Sequence, residues 1–361
     1  MLENALFFIF GLAALTLGAE LMVRGAARLA MTFGISPLVV GLTIVAFGTS
    51  APEMAVSVGG ALSGAGDLAI GNIVGSNIAN VLLILGLCAL IVPLAVNEQI
   101  IRQEVPIMIG ASLLFLVLAL DGRISRLEGV LLFSLVVVYT VFLIMQSRRA
   151  SKAAEVEFSD EMPDTHSRWD SHWSVQVLLV VVGLSLLVLG AEWLVDAAVA
   201  VAHMFGVSDL LIGLTVVAVG TSMPEIATSL VAAVRRQRDI AVGNVVGSNI
   251  FNILAVLGFS SLVSDGGIAV SEATRNLDLW VMLAVAFACL PVMITGREIA
   301  RWEGGVFIAY YVVYTAYLVM AAIHAEQLPD ASMVVLGYLL PLTVITLVVS
   351  LVRQNGAAKP R

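Results

Sequence analysis

Charged residues are scarce in this sequence of 361 residues, because Asp, Glu, Lys and Arg together make up only 12% of it. A soluble domain of ordinary composition contains about twice that fraction. Hydrophobic residues account for 60%, the mean hydropathy is +1.03, and apolar runs recur along the whole chain. A membrane-spanning helix needs about 20 mostly apolar residues. The composition therefore excludes an ordinary soluble protein and predicts an all-α polytopic membrane protein.

Cysteine, histidine and net positive charge are also in short supply. The two cysteines, Cys88 and Cys289, both lie inside apolar runs, which excludes a disulfide framework and a CxxC metal site. No histidine lies in the polar segments inside the apolar runs, which argues against an imidazole metal site. The net charge of −8 disfavours nucleic acid as a partner. The expected partner is the lipid bilayer; no cofactor is expected, and the oligomeric state is left open.

Eleven apolar segments are long enough to be predicted as spans. A polar stretch at 147–173 separates five of them from six, and it is too short and too polar to fold as a domain. The spans are predicted at 4–28, 36–61, 68–95, 104–120, 126–146, 175–203, 209–233, 240–263, 276–295, 302–324 and 332–352. The predicted organisation is a first repeat at 1–146, a cytoplasmic linker at 147–173, a second repeat at 174–324, and an additional span with a tail at 325–361.

The distribution of Lys and Arg predicts the orientation. Cytoplasmic loops carry an excess of these residues. With the N-terminus outside, 15 of the 18 basic residues fall on the cytoplasmic side, and only Arg123, Arg126 and Arg275 lie outside. An odd number of spans then brings the basic C-terminus into the cytoplasm.

An internal repeat dominates the sequence. Residues 41–90 align without a gap to residues 213–262 at a constant offset of 172, and 27 of the 50 positions are identical. GLTIVAFGTSAPE matches GLTVVAVGTSMPE, and the matches LGAE/LGAE and RLEG/RWEG extend the unit to about five helices. A unit with an odd number of spans enters the membrane from opposite sides in its two copies. The fold predicted is therefore two inverted five-helix repeats plus an extra C-terminal helix, which is typical of secondary transporters with a site at the midplane.

The repeated segment places a carboxylate near the middle of two spans. Glu53 and its counterpart Glu225 each follow a threonine and a serine by four and three residues, so the three side chains share one helix face. A charge at the centre of a spanning helix costs about 2.5–3.5 kcal/mol on insertion scales, and such residues mark functional sites. The hydroxyl residues of the two clusters are Thr49 and Ser50, and Thr221 and Ser222.

Further oxygen atoms are expected around the two carboxylates. Pro52 and Pro224 have no N–H, so the carbonyls of Gly48 and Gly220 lose their usual helix partners. In lipid such a carbonyl is tolerated only where it faces protein, water or a ligand. The motifs GNIVGSNIAN and GNVVGSNIFN add neutral oxygens one helical turn apart, from Ser76 and Asn80 and from Ser248 and Asn252.

This set of donors predicts a site for a hard cation. Calcium takes about 6–8 oxygen ligands, and neither thiolate nor imidazole is present to favour zinc or copper. Two carboxylates also balance the charge of one divalent ion. Once calcium leaves, the two carboxylates repel each other unless sodium ions or protons enter. An exchanger is therefore physically more natural than a uniporter.

At GTSAPE with GSNIAN, and GTSMPE with GSNIFN, the sequence resembles the sodium/calcium exchanger branch of the cation/calcium exchanger superfamily. The resemblance implies cation contacts from the ten side chains named above and from the backbone carbonyls of Ala46 and Ala218. It also implies alternating access, in which the first and sixth helices slide over a fixed core of eight helices. The expected function is antiport of calcium against sodium across the inner membrane of a prokaryote, most naturally calcium extrusion.

Two departures from that family bear on the ions. Some relatives have aspartate where this chain has Asn252, and potassium use is linked to an acid there, so potassium coupling is not expected. The family usually has ten helices, which makes the eleventh unusual. A proton-coupled exchanger is the first alternative, although its relatives usually carry a carboxylate where this chain reads GSN. A cation channel is a weaker alternative, and no nucleophile–base pair, catalytic metal set or nucleotide loop predicts an enzyme.

Other polar residues are assigned lesser roles. Glu20 and Glu192 match each other in the repeat, and each is expected either to gate ion access or to pair with an arginine at the interface. The acidic residues of the linker lack the spacing of a calcium loop and indicate a solvated charge run. The remaining asparagines of the two GSN motifs are expected to act in helix packing or behind the ligands: Asn72, Asn77, Asn244 and Asn249.

Overall fold

In the computed structural model of the protein, residues 2–154, 172–205 and 218–323 are described. Their helices are α1 (Leu2–Phe33), α2 (Pro37–Thr49), α3 (Ala51–Leu62), α4 (Gly66–Ile91), α5 (Ile100–Asp121), α6 (Arg126–Ala154), α7 (Trp173–Met204), α8 (Met223–Val234), α9 (Arg238–Val263), α10 (Thr274–Ile294) and α11 (Arg301–Ile323). A short turn of helix, Ala218–Gly220, precedes α8. Within this part of the chain, eight helices are long and apolar enough to cross a membrane, and α2 with α3 forms a ninth, bent span. The prediction of a polytopic helical membrane protein is confirmed.

The predicted spans agree with these helices with two qualifications. The span predicted at 36–61 is broken into α2 and α3, which meet at an angle of 46°. The eleventh span, at 332–352, and the first part of the span at 209–233 lie outside the described residues. Most of the predicted linker also lies outside them, although α6 continues to Ala154 at its start.

The two halves pack against each other through equivalent glycines. A Cβ atom built on Gly18 would lie 2.7 Å from the carbonyl oxygen of Gly183, and one on Gly11 would lie 2.9 Å from that of Gly190. Gly183 and Gly190 are the counterparts of Gly11 and Gly18 at the offset of 172, so α1 and α7 pair antiparallel about a pseudo-twofold axis. Small residues allow membrane helices to approach this closely, which is why glycine occupies these positions.

The connecting segments show the same symmetry. Strand β1 (Leu94–Ala95) pairs with β4 (Glu298–Ile299), and β2 (Arg123–Ile124) pairs with β3 (Ile268–Ala269), so each pair joins one half to the other. Helix α9 is buried over its central 18 residues and α4 over most of its length, whereas few residues of α11 are buried. The core is thus built around α4 and α9. These helices carry the two GSN motifs, and π-helical segments begin at the last asparagine of each motif, Asn80–Leu85 and Asn252–Leu257.

Candidate cation site

The two glutamates lie where broken helices begin again. Ser50, with φ −77° and ψ 8°, separates α2 from α3, and Pro52 and Glu53 follow in the first turn of α3. Ser222, with φ −87° and ψ 8°, precedes α8 in the same way. Proline is tolerated in a first helical turn because its missing N–H has no partner there. The partial positive charge of a helix N-terminus also favours a carboxylate at this position.

Each glutamate accepts a hydrogen bond from the serine of the other half. Ser222 Oγ donates to Glu53 Oε1 at 3.3 Å, and Ser50 Oγ donates to Glu225 Oε1 at 3.4 Å. Both glutamates are only 1% exposed. The second carboxylate oxygen of each, Oε2, is buried and accepts no hydrogen bond from the described residues. The break in each half therefore supplies both a carboxylate and the donor for the opposite carboxylate.

The GSN motifs border this pair of carboxylates. Ser76 Oγ lies 3.4 Å from Ser222 Oγ, and the hydroxyls of Thr49 and Ser248 lie 3.5 Å apart. Asn80 and Asn252 are buried, and the Oδ1 atom of each has no hydrogen-bond partner among the described residues. Four buried oxygens, two from carboxylates and two from amides, are thus left without donors at positions related by the repeat.

A further pair of asparagines holds the threonines of the two breaks. Thr49 Oγ1 donates to Asn244 Oδ1 at 3.2 Å, and Thr221 Oγ1 donates to Asn72 Oδ1 at 3.4 Å. The amide nitrogens of the same asparagines donate 2.9 Å hydrogen bonds to the repeated serines of α3 and α8, Ser57 and Ser229. Asn72 Nδ2 also donates to the Glu53 carbonyl at 3.1 Å. These contacts agree with the supporting role expected for Asn72 and Asn244.

The backbone carbonyls have more varied surroundings. The carbonyl oxygen of Ala46 accepts the N–H of Ser50 at 3.0 Å and lies 3.4 Å from the hydroxyl oxygen of Thr49. Ala218 begins the short turn Ala218–Gly220 before the second break. Gly48 lies in the last turn of α2, four residues before Pro52, and the loss of a helix partner by its carbonyl stays a prediction. That Ala46 and Ala218 contribute ligands stays a prediction.

Glu53 and Glu225 are the acidic residues of the site in the part of the chain that the structure describes. Among the described residues, no group of three or more His, Cys, Asp and Glu side chains is close enough together to hold a metal ion. Cys88 and Cys289 are both buried free thiols on separate helices. The other oxygens around Glu53 and Glu225 are hydroxyl, amide and carbonyl oxygens. Hard divalent and monovalent cations are bound by such oxygens.

Two hydrogen bonds between a tyrosine and an acidic residue, both outside the site, were not predicted from the sequence. Glu104 is fully buried and accepts hydrogen bonds from Gln99 (2.9 Å), Gln103 (2.7 Å) and Tyr139 (2.8 Å). Tyr314 and Asp278 form the corresponding bond in the second half, at 3.0 Å. The tyrosines lie about 35 residues from their acids, so no helical periodicity links them.

The two alternatives for Glu20 and Glu192 resolve differently. Glu20 forms an ion pair with Arg235 at 2.7 Å, as one of the alternatives expected. Glu192 is exposed. The residue equivalent to Arg235 in the first half is Ser63, so the repeat does not provide the same ion pair twice.

Comparison with known proteins agrees with this geometry. The family model described as "Sodium/calcium exchanger protein" matches residues 3–145 and 175–320. CaxA of Alkalimonas amylolytica, a candidate antiporter, is 39% identical over 87% of this chain and 98% of its own. The sodium/calcium exchanger MaX1 of Methanosarcina acetivorans is 34% identical over 87% of this chain and 98% of its own.

A solved structure supports the same assignment. The sodium–calcium exchanger NCX_Mj superposes with a TM-score of 0.72 at 30% identity, covering 88% of this chain and 99% of that one. The fold predicted from the repeat, that of an exchanger built from two halves, is thereby confirmed. The family match extends over both halves and more than half of the chain. The chain belongs to the sodium/calcium exchanger protein family.

Proposed function

We propose that the protein is a secondary antiporter that exchanges calcium for sodium by alternating access, at a site formed by Glu53 and Glu225. The observation that carries the proposal is a set of four buried oxygens that accept no hydrogen bond from any described residue: Oε2 of the two glutamates and Oδ1 of Asn80 and Asn252. A buried polar atom without a partner is energetically unfavourable, and a buried charge more so. A cation among these atoms relieves both costs.

The charge balance favours a divalent ion in the loaded state. Neither glutamate forms an ion pair with a described lysine or arginine, so the charge of −2 that the two carry when both are ionised has no compensating cation in the described part of the protein. One calcium ion neutralises it. The number of oxygens is also suitable, because the carboxylates, hydroxyls and amides supply the six to eight ligands that calcium takes, at roughly 2.3–2.6 Å.

The same balance favours exchange over one-way transport. Without a cation, two carboxylates in a region of low dielectric repel each other, which disfavours an empty site. Replacement of calcium by sodium ions keeps the charge compensated while the site changes the side it faces. The Asn at both 80 and 252 leaves no third carboxylate in the GSN motifs, which favours sodium over protons as the coupling ion.

The relatives support the ions as well as the fold. MaX1 is named a sodium/calcium exchanger, and the NCX_Mj structures include soaks with sodium together with calcium or strontium. Inverted halves that meet at one site are the arrangement from which alternating access follows. For this chain we propose Glu53, Glu225 and the surrounding hydroxyl, amide and carbonyl oxygens as ligands, an inner-membrane location with the N-terminus outside, and calcium extrusion as the direction.

The proposal is tested with purified protein in proteoliposomes loaded with sodium and diluted into sodium-free buffer that contains radioactive calcium. We expect calcium uptake that requires the sodium gradient, persists with a protonophore and is lost in Glu53→Gln and Glu225→Gln. Glu104→Gln is the matched control, because it changes another buried glutamate outside the site, and we expect its uptake to persist.

Three results contradict the proposal. Uptake driven by a pH gradient alone indicates a proton-coupled exchanger. Calcium entry without any gradient indicates a channel. Sodium-driven uptake that persists in Glu53→Gln and Glu225→Gln excludes the site.

A further inference from the structure

Two asparagines next to the site form a reciprocal pair between α4 and α9. Asn77 Nδ2 donates to the backbone carbonyl of Asn249 at 3.4 Å, and Asn249 Nδ2 donates to the backbone carbonyl of Asn77 at 3.3 Å. Both side chains are buried, at 2% and 3% exposure. The two nitrogens also lie near methionine sulfurs, Met282 Sδ at 3.7 Å and Met108 Sδ at 3.4 Å.

The amide oxygens of this pair contact the asparagines of the candidate site crosswise. Asn252 Nδ2 donates to Asn77 Oδ1 at 3.1 Å. Asn80 Nδ2 donates to Asn249 Oδ1 at 3.0 Å. Each of Asn77 and Asn249 therefore uses its nitrogen to reach the opposite backbone and its oxygen to hold an asparagine from the opposite half.

The chemistry of the groups fixes the direction of every amide in this network. A backbone carbonyl can only accept, so Asn77 must turn its nitrogen toward the carbonyl of Asn249. Its oxygen then faces Asn252, which must present its own nitrogen in return. The oxygen of Asn252 is left facing away from the network. A flip of Asn77 would place two acceptors against each other and two donors against each other, so the orientation follows from the backbone and not from an arbitrary choice of amide rotamer.

We propose that Asn77 and Asn249 are positioning residues that make Asn252 and Asn80 present oxygen, and not nitrogen, to the transported cation. The inference rests on the proposed function, because it assigns the oxygens a cation to face. The atoms concerned are the two buried amide oxygens without a described donor. The pair also explains why this chain has amides at both positions, since a carboxylate at 252 would bring a second acceptor against Asn77 Oδ1.

The expected size of the effect follows from other metal sites. Loss of an outer residue that orients a ligand typically lowers metal affinity about 10–100-fold. In Asn77→Leu the amide of Asn252 loses its acceptor and is free to turn its NH₂ group toward the cation. We therefore expect the calcium concentration for half-maximal sodium-driven uptake to rise about tenfold or more, with a smaller change in maximal rate.

The test is a set of double-mutant cycles in the sodium-loaded proteoliposomes. Asn77→Leu and Asn249→Leu are each combined with Asn252→Ala and with Asn80→Ala. We expect crosswise coupling: Asn77→Leu adds little once Asn252 is alanine but retains its effect when Asn80 is alanine, and Asn249→Leu behaves in the opposite way. Asn77→Ala and Asn249→Ala provide the same cycles with smaller side chains if a leucine variant does not reconstitute.

Additive effects in all four combinations would overturn the inference, because a purely structural role in joining α4 and α9 predicts additivity. Coupling within one half, between Asn77 and Asn80, would overturn it as well. The unsubstituted protein in the same vesicles separates this outcome from failure of the proposed function. If it shows no sodium-driven uptake, the proposed function fails and the inference fails with it; if it transports and the cycles are additive, only the positioning role fails.

Discussion

Gly247 on α9 is a position where the addition of a single methyl group should disturb the site. A Cβ atom built there would lie 2.7 Å from the carbonyl oxygen of Leu42, 2.8 Å from its Cα and 2.9 Å from the Cβ of Ala46. Ordinary contact begins at 3.4 Å. Since the first two atoms belong to the backbone of α2, no side-chain rotation relieves the overlap, and in Gly247→Ala the two helices must separate by about 0.7 Å.

This separation has a cost in stability and a cost in the site. Overpacking of this kind destabilises a protein by about 1–3 kcal/mol. The next residue is Ser248, whose hydroxyl lies 3.5 Å from that of Thr49 on α2, and the displacement lengthens this distance beyond a hydrogen bond. We expect Gly247→Ala to lower the free energy of unfolding by about 1–3 kcal/mol and to raise the calcium concentration for half-maximal uptake.

The assay is thermal unfolding of the purified variant in detergent, followed by circular dichroism, together with calcium-dependent uptake in proteoliposomes. Gly110→Ala is the matched control, because Gly110 is exposed on α5 and no described atom lies within 4 Å of its built Cβ. Alanine is favoured over glycine in a helix by about 1 kcal/mol, so this variant should be as stable as the unsubstituted protein or more so. A Gly247→Ala variant with unchanged stability and calcium dependence would refute the packing argument.

Two further predictions concern groups outside the site. Tyr139→Phe removes a hydroxyl that donates to the fully buried Glu104, and we expect a loss of about 1–3 kcal/mol in the free energy of unfolding. Tyr314→Phe should lower the free energy of unfolding by less, because its acceptor Asp278 is only half-buried. Equal losses in the two variants would contradict this reasoning. Arg235→Ser removes the ion pair with Glu20, in which the side chain of Arg235 is 60% exposed and that of Glu20 is 35% exposed. We expect the free energy of unfolding, measured by thermal unfolding, to change by no more than about 1 kcal/mol. A larger loss would mean that Arg235 has a packing role beyond the pair.

The sequence predicted the features that are local or repeated. Pro52 predicted a local loss of helical hydrogen bonding, and the structure breaks the helix at Ser50, two residues before it. The offset of 172 predicted two equivalent halves, and the hydrogen bonds of the site follow that offset. Helical spacing predicted Thr49 and Ser50 on one helix face with Glu53. That prediction was wrong, because the helix breaks at Ser50 and the Ser50 hydroxyl donates to Glu225 of the other half.

What the sequence did not predict are the contacts between the halves. Spacing within one half cannot show that Ser50 donates to Glu225, or that Asn77 holds Asn252, because those distances depend on how the helices of the two halves pack together. The π-helical segment that begins at Asn80 also lies beyond a reading based on the period of an α-helix. For this reason the sequence assigned Asn77 and Asn249 only to helix packing or to a place behind the ligands.

Equilibrium binding of radioactive calcium to the purified protein is the most direct test of whether Glu53 and Glu225 form one cation site. We expect one calcium ion per chain, displaced by sodium, with binding lost in the double variant Glu53→Gln/Glu225→Gln and kept in Glu104→Gln. Calcium binding by the double variant with the affinity and sodium sensitivity of the unsubstituted protein would contradict it.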